Sequence, residues 1–138
     1  MLYKQNQSYE LDEKLFKNPT SEYRAAPFWA WNCKLNKDIL NEQIDIFKKM
    51  GFGGFHMHSR IGMSTPYLKD EFMGLIKFCT QKAEQENMLA YLYDEDRWPS
   101  GSAGGYVTKT HKYRQRYLIF SQNSREHFSL DEAINSSK

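Results

Sequence analysis

Apolar residues recur along the first two-thirds of the chain in two alternating patterns. Short apolar runs bounded by turn residues predict buried strands near residues 28–32, 52–58 and 88–94. Apolar positions at three- and four-residue steps predict one helix over 37–50 and a second over about 69–86. Asn36 suits the N-cap of the first helix, and Gly51 suits its end. This order predicts an α/β fold built from right-handed βαβ units around a parallel sheet.

The segments on either side of this pattern are less regular. Residues 1–26 are polar and weakly patterned, so we expect an extended lead-in. After the glycine-rich turn, Tyr106 to Arg116 is a candidate third helix. Residues 117–138 contain two apolar runs around a polar turn, which suggests a hairpin that starts an inserted β element, or a frayed tail. The predicted organisation is therefore a lead-in, an α/β unit over 27–116, and this C-terminal segment.

Each predicted strand has a polar residue at its carboxyl end, on one face of the strand. Side chains alternate along a strand, so His56 and His58 share a face. Asn32 ends the first strand and Asp94 ends the third. In open α/β sheets, ligands bind beyond the carboxyl ends of the strands. We therefore expect the three strand tips to point their polar groups the same way, into one concave site.

Composition narrows the classes of partner. The chain has 138 residues, 19 basic and 17 acidic side chains, and a net charge of +2, so it has no global field that would recruit nucleic acid or an anionic membrane. Cys33 and Cys79 lack metal-ligand spacing, which favours two reduced thiols. The first twenty residues lack the apolar core of a secretory signal, and no apolar run approaches the roughly 20 residues of a membrane span. These features predict a soluble, cytoplasmic protein.

The most informative segment follows the third strand. Asp94, Glu95 and Asp96 are consecutive acids, followed by Arg97 and Trp98. Charged acceptors form strong hydrogen bonds, which suits sugar hydroxyls, and an indole ring can stack on the apolar face of a sugar. The alternative is a salt-bridged loop in which Arg97 neutralises the acids. The glycine-rich turn after it, residues 101–105, lacks the ending of a phosphate-binding loop, so we interpret it as a tight turn.

The histidine pair leaves three interpretations open. His56 and His58 could bind zinc or iron with Asp94 as a third ligand, could contact a sugar, or could simply pack. Arg60 lies close by in the sequence and disfavours a cation, so no metal is expected. Arg60 itself is better suited to contact a substrate or a carboxylate.

Four ordered blocks of sequence resemble one enzyme group. They are Phe28-Trp29-Ala30-Trp31-Asn32, Gly53-Gly54-Phe55-His56-Met57-His58-Ser59-Arg60, Thr65-Pro66-Tyr67-Leu68, and the run from Tyr93 to Gly105. Between Phe16 and Arg116 the chain resembles the (β/α)8-barrel glycoside hydrolases of the α-L-rhamnosidase-like type, near glycoside hydrolase family 106. The resemblance implies the first three βα units of an incomplete (β/α)8 barrel, since a complete one needs about 250 residues.

The resemblance also implies a function for these residues. The chain would be the N-terminal fragment of a glycoside hydrolase, with rhamnosides among its candidate substrates and a carbohydrate and the rest of the barrel as partners. It would be inactive alone, because the catalytic carboxylates are expected on later strands. No cofactor is expected, although calcium stays open for a full-length relative. The implied substrate-binding residues are Asn32, His56, His58, Arg60, Asp94, Glu95, Asp96 and Trp98.

Two other functions are compatible with the sequence. Three parallel strands leave two edges unpaired, so the chain could be a non-catalytic remnant or a split subunit that needs a partner chain. The second alternative function is that of a metal-dependent barrel hydrolase that uses His56 and His58.

Overall fold

The computed structural model describes residues 9–97, 101–116 and 118. The helices are α1 (Glu13–Lys17), α2 (Lys37–Lys49) and α3 (Asp70–Gln85). The strands are β1 (Phe28–Trp31), β2 (Gly54–Ser59) and β3 (Leu89–Asp96), and short 3-10 helices span Ser21–Tyr23 and His111–Tyr113. The predicted α/β order is therefore confirmed, with α2 and α3 as the two crossover helices.

The three strands form one parallel sheet in the order β1-β2-β3. Phe28 of β1 is the register partner of His56, and Leu89 of β3 is the partner of Gly54. A β-carbon on Gly54 would lie 2.3 Å from the carbonyl oxygen of Leu89, so this close approach of β2 and β3 requires glycine. The parallel sheet predicted from the sequence is thus confirmed.

One face of the sheet is covered by α2 and α3. Trp29, Trp31, Phe55 and Met57 alternate onto this face and are buried. Their rings pack edge to face, with Trp29 5.1 Å from Phe55 and 5.3 Å from Phe47 of α2. Buried aromatic side chains contribute most of the apolar area in a core of this size. The rest of the buried cluster comes from the helices and the loops between them: Leu35, Leu40, Ile44, Met63, Phe72, Ile76, Cys79, Ala83 and Met88.

Local signals explain where α2 begins and ends. The Oδ1 atom of Asn36 accepts hydrogen bonds from the backbone N–H groups of Asp38 (2.9 Å) and Ile39 (3.1 Å), as predicted for an N-cap. Gly51 follows the helix with φ at +84°, a left-handed conformation that favours glycine.

The N-terminal lead-in contacts the amino end of the sheet. It contains α1 and the 3-10 turn Ser21–Tyr23 as well as extended residues. The N–H of Gly53 donates to the carbonyl of Ala25 at 2.9 Å. A β-carbon on Gly53 would lie 2.0 Å from the carbonyl oxygen of Ser21, so the lead-in and the start of β2 are in direct contact.

The candidate third helix over Tyr106 to Arg116 is wrong. The segment forms successive turns and only the 3-10 helix His111–Tyr113. Gly104 and Gly105 precede it with φ of +64° and +85°, and its few apolar residues provide no continuous stripe to bury. The predicted hairpin over 117–138 lies outside the described residues apart from Leu118. Within the described ranges, no helix is long and apolar enough to cross a membrane.

Candidate functional site at the strand ends

The carboxyl ends of β2 and β3 bring His58 and Glu95 together. The Nε2 atom of His58 lies 2.8 Å from Oε1 of Glu95. The side chains are only 1% and 2% exposed, so the pair is removed from bulk water. An ionic or polar pair at this depth persists only when its members satisfy each other's hydrogen bonds.

Aromatic rings enclose this pair on the sheet face opposite α2 and α3. The His58 ring centroid lies 4.8 Å from that of Phe28 and 4.4 Å from that of Tyr93. The bond to Glu95 uses Nε2 and leaves Nδ1 of His58 buried without a hydrogen-bond partner among the described residues. A buried ring nitrogen that is held in position but has no partner is suited to bind a ligand group.

The prediction that Asp94 shares a side with the histidines is wrong. Side chains alternate along β3 as expected. However, the register of β2 and β3 pairs His56 with Tyr91 and Met57 with Leu92. Tyr91, and not Leu92, therefore lies on the histidine side. The next odd-numbered acid, Glu95, reaches His58, whereas Asp94 is exposed to solvent. A shift of one residue in register exchanges the two faces of a strand, and the hydrophobic pattern alone does not fix it.

A bulge in β3 lets two residues reach the same histidine. Met57 pairs with Leu92 and Ser59 pairs with Asp96, so two steps along β2 match four steps along β3. Three residues of β3 consequently lie opposite His58, and Tyr93 and Glu95 both contact it. Bulges of this kind redirect side chains next to functional sites.

The other predicted residues are spread around the pair. His56 is half-buried and stacks on Tyr91, with centroids 4.5 Å apart and ring planes 13° from parallel. Arg60 lies over the Phe28 ring at 5.9 Å. Asn32 is exposed just after β1. Trp98 lies outside the described residues.

Asp96 lies on the opposite face from Glu95. Its register partner is Ser59, whose own partner in β1 is the core residue Trp31. The Asp96 side chain is 9% exposed, and its Oδ1 atom is buried without a hydrogen-bond partner among the described residues. The nearest cation, Nε of Arg97, is 3.8 Å away. The structure therefore divides the acidic run between the two faces of the sheet.

Tyr67 is a neighbour of these acids that the sequence reasoning did not select. Burial raises the pKa of its phenol above the ordinary value, and the nearby carboxylates of Asp96, Asp94 and Glu95 raise it further. Its ring packs on Phe72 of α3 with centroids 5.1 Å apart. A usable signal was present, because Tyr67 belongs to one of the four blocks that carry the family resemblance.

The metal interpretation gains no support from the geometry. Among the residues that the structure describes, no group of three histidine, cysteine or carboxylate side chains is placed to hold a metal ion. Glu95 bonds directly to His58, and His56 stacks on a tyrosine.

A groove of about 830 Å³ lies at the other end of the sheet. The lead-in, the end of α3 and the start of β3 line it, including Arg24, Asn87 and Tyr91. None of the predicted site residues that the structure describes lines this groove. It runs beside the outer strand β3, so we interpret it as a gap between elements and not as the site of chemistry.

Comparison with known proteins shows similarity to solved structures only. No family model matches the chain, and no curated protein matches it. Among solved structures, the chain is similar to the rhamnosidase from Novosphingobium sp. PP1Y, with a TM-score of 0.54 and 23% sequence identity. The match covers 63% of this chain and 9% of that one. At this identity the likeness shows the fold alone; membership of glycoside hydrolase family 106 does not follow from it.

Proposed function

We propose that this chain forms carbohydrate-contacting strand ends of a glycoside hydrolase, in which further βα units complete a (β/α)8 barrel. The observation that carries the proposal is the buried pair His58 and Glu95 at the carboxyl ends of β2 and β3. Active sites of such barrels are built at this end of the strands. The fold similarity to a rhamnosidase supports glycosides, α-L-rhamnosides among them, as the substrate class.

In this proposal Glu95 positions His58. The carboxylate accepts a hydrogen bond from Nε2–H, which fixes both the ring orientation and the tautomer. The Nδ1 atom then accepts a hydrogen bond from a sugar hydroxyl. Phe28 and Tyr93 provide apolar walls beside it, and a few polar groups among aromatic side chains are typical of small-molecule sites.

The remaining substrate contacts come from polar residues at the same end of the sheet. Asn32 and Arg60 follow β1 and β2 directly, and Asp94 is the exposed acid of the run. Arg60 lies over Phe28 and so borders the His58 side. Trp98 provides the ring that stacks on the sugar.

The chain alone binds sugar in this proposal but does not cleave it. Glycoside hydrolysis needs two carboxyl groups about 5–5.5 Å apart for retention, or about 6.5–9.5 Å apart for inversion. Glu95 is committed to His58, and Asp96 lies on the other face of the sheet. The general acid and its partner carboxylate therefore come from later strands of the barrel.

Aryl glycosides test this function. The protein encoded by the complete gene should release para-nitrophenol from para-nitrophenyl α-L-rhamnoside or a related glycoside. Glu95→Gln should lower kcat/KM by about 100-fold, because a small displacement of a positioned group has effects of this order. Glu84→Gln makes the same chemical change on the exposed side of α3 and should leave the activity unchanged.

Two results would contradict the proposal. One is a folded, complete protein that cleaves none of the aryl glycosides in a broad panel. The other is a Glu95→Gln variant that folds normally and retains full activity.

A split subunit is the second candidate, and the sheet edges favour it. Within the described ranges, the outer edges of β1 and β3 have no strand partner. Phe28 is 52% exposed and Leu92 is 51% exposed, which leaves apolar surface that further strands could cover. Native purification followed by mass spectrometry separates the two candidates: a second chain with βα units supports a split barrel, and one longer chain excludes it.

A further inference from the structure

We propose that the Tyr106 ring and the ammonium groups of Lys69 and Lys109 form a binding surface for an acidic oligosaccharide, a carbohydrate chain that carries carboxylate groups. The choice of a carbohydrate as the ligand rests on the proposed function. The choice of an acidic one rests on the contacts and charges of these three residues.

Two loops at the carboxyl ends of the strands bring these side chains together. Lys69 ends the loop between β2 and α3, and Tyr106 lies in the turn segment that follows β3. The Nζ atom of Lys69 lies 5.2 Å from the centroid of the Tyr106 ring, so the two loops are in contact. In α/β sheets, ligands bind beyond this end of the strands.

The local backbone places Lys109 on the same ring. The N–H of Lys109 donates to the carbonyl of Gly105 at 3.0 Å, which is the hydrogen bond of one helical turn. Residues three apart in such a turn lie side by side, so Lys109 is a neighbour of Tyr106. Its Nζ atom lies 4.6 Å from the ring centroid. The Tyr106 ring therefore holds two cations, one from each loop.

The cluster borders the end of β3. The backbone of Gly104 packs against Asp96 and Tyr106, because a β-carbon there would lie 3.4 Å from Oδ2 of Asp96 and 3.8 Å from Cδ2 of Tyr106. Tyr106 is 42% exposed, and both lysines are exposed. A ligand bound at the strand ends can therefore extend onto these side chains, which solvent already reaches.

No acid neutralises the two cations by direct contact. Within the described ranges, neither ammonium group forms an ion pair with a carboxylate, as those of Lys34, Lys48 and Lys82 do. Interaction with the Tyr106 side chain raises the pKa of Lys69, and Asp70 adds a smaller effect from a greater distance. Two charged groups in this state attract an anion.

The turn segment repeats the combination of lysine and tyrosine. Lys112 lies over the Tyr113 ring, with its Nζ atom 5.9 Å from the centroid. Repeated cations suit a ligand with repeated negative charges, and the rings between them suit the apolar faces of sugars. Residues 101–116 contain no acid, and their lysine and arginine residues are Lys109, Lys112, Arg114 and Arg116.

A nucleic acid is the other polyanion that a basic and aromatic surface can bind. Such proteins have a broad basic footprint. Outside residues 101–116, the acidic side chains of this chain outnumber its lysine and arginine side chains. The positive charge is therefore confined to one segment, which favours a short acidic saccharide.

Fluorescence anisotropy of labelled tri-galacturonate, with the protein encoded by the complete gene, tests this surface. At low ionic strength the probe should bind and saturate, and added salt should weaken the binding. The methyl ester of the same trisaccharide keeps the sugar rings but carries no charge. It should bind about 10-fold more weakly, because the ion pairs with both lysines are lost.

Variants assign the binding to these residues. Lys69→Gln and Lys109→Gln should each weaken it roughly 2- to 5-fold, the effect of one exposed ion pair. Lys69→Arg keeps the charge and should retain binding. Tyr106→Ala should weaken binding to a similar extent, whereas Tyr106→Phe, which keeps the ring, should not. Lys77→Gln removes an exposed charge from the middle of α3 and should have no effect.

Three results would overturn the surface. The first is the absence of tri-galacturonate binding, and the second is an equal loss in Lys77→Gln and Lys69→Gln. The third is equally tight binding of a tri-glutamate peptide or of oligouridylate, which would show a general response to anions or a nucleic-acid surface.

The same measurements separate this surface from the proposed function. Cleavage of an aryl rhamnoside without tri-galacturonate binding would retain the proposed function and exclude the surface. Binding that the lysine variants weaken, without cleavage of any aryl glycoside, would retain the surface and exclude the hydrolase.

Discussion

The two faces of this sheet are built from the same three strands but are stabilised by different interactions. The face under α2 and α3 contains Trp29, Phe55 and Met57, which are buried among apolar side chains, and the Nε1–H of Trp29 also donates to Oε1 of Gln43 at 2.9 Å. The opposite face contains His56 and His58, with Phe28 half exposed beside them. On the covered face, side-chain shape and buried apolar area determine which residue types fit. On the opposite face, the polar side chains can be buried only where they have hydrogen-bonding partners.

His58 shows what this difference teaches. It is as buried as Met57, its neighbour on the other face, although it carries two polar nitrogen atoms. Burial is possible because Glu95 satisfies one of them and two aromatic rings enclose the remainder. The energy that holds the covered face together is therefore spread over many contacts, whereas the other face depends on one pair.

Removing a ring from each face should give the largest contrast. Phe55→Ala should lower the free energy of unfolding by about 3–5 kcal/mol, because Phe55 is fully buried between Trp29 and Phe47. Phe28→Ala removes a ring that is 52% exposed and should cost only about 1 kcal/mol. Urea unfolding measures both, and similar losses would show that the faces do not differ in this way.

The buried pair should give an intermediate effect. Glu95→Ala leaves Nε2 of His58 without its partner, which should cost about 1–3 kcal/mol. Asp94→Ala, at the adjacent exposed acid, should stay within about 0.5 kcal/mol. A double-mutant cycle with His58→Ala should give a coupling energy of about 0.5–3 kcal/mol, and strictly additive losses would argue against a functional unit of two residues.

The smallest expected effect is a difference in the reactivity of the two cysteines. Burial raises the pKa of the Cys79 thiol on α3 to about 12, whereas Cys33 is exposed. At pH 8, iodoacetamide should modify Cys33 readily and Cys79 only on unfolding, as peptide mass spectrometry would detect. Rapid modification of native Cys79 would mean that the covered face opens easily.

The same thiol predicts a pH dependence. The unfolded thiol ionises near pH 8.5, so between about pH 9 and 12 the unfolded chain has lost this proton while the folded chain retains it. Stability should therefore fall as the pH rises through this window and be unaffected below it. Cys79→Ala should reduce the alkaline loss, and an unchanged profile would assign that loss to other groups.

The elements of the fold were predictable because their signals are local. Asn36 caps α2 through its own side chain, and the apolar steps of α2 and α3 identify the faces that they bury. The parallel direction of the strands followed from the length of the crossovers. The turn segment after Gly105 failed as a helix because it lacks an apolar stripe to bury.

The candidate site was only partly predictable, because register is not local. His58 and Glu95 were both selected, but Asp94 was expected on the histidine side and Tyr67 was not selected. The deciding contact is the close approach of Gly54 to Leu89, which sets which β3 residues face which way. The adjacent glycines Gly53 and Gly54 indicate that another strand approaches β2 closely, but the strand pattern does not show that Leu89 is the residue opposite them.

The bulge in β3 has a consequence for how this segment tolerates changes in length. It contains two more steps than β2 opposite it, so Leu92 and Asp96 still face the same side of the sheet. Losing one residue between them would move Asp96 to the other side of the sheet, whereas losing two would restore its side. Viable length variants between Leu92 and Asp96 should therefore differ by even numbers of residues, and single deletions should be rescued by a second deletion nearby.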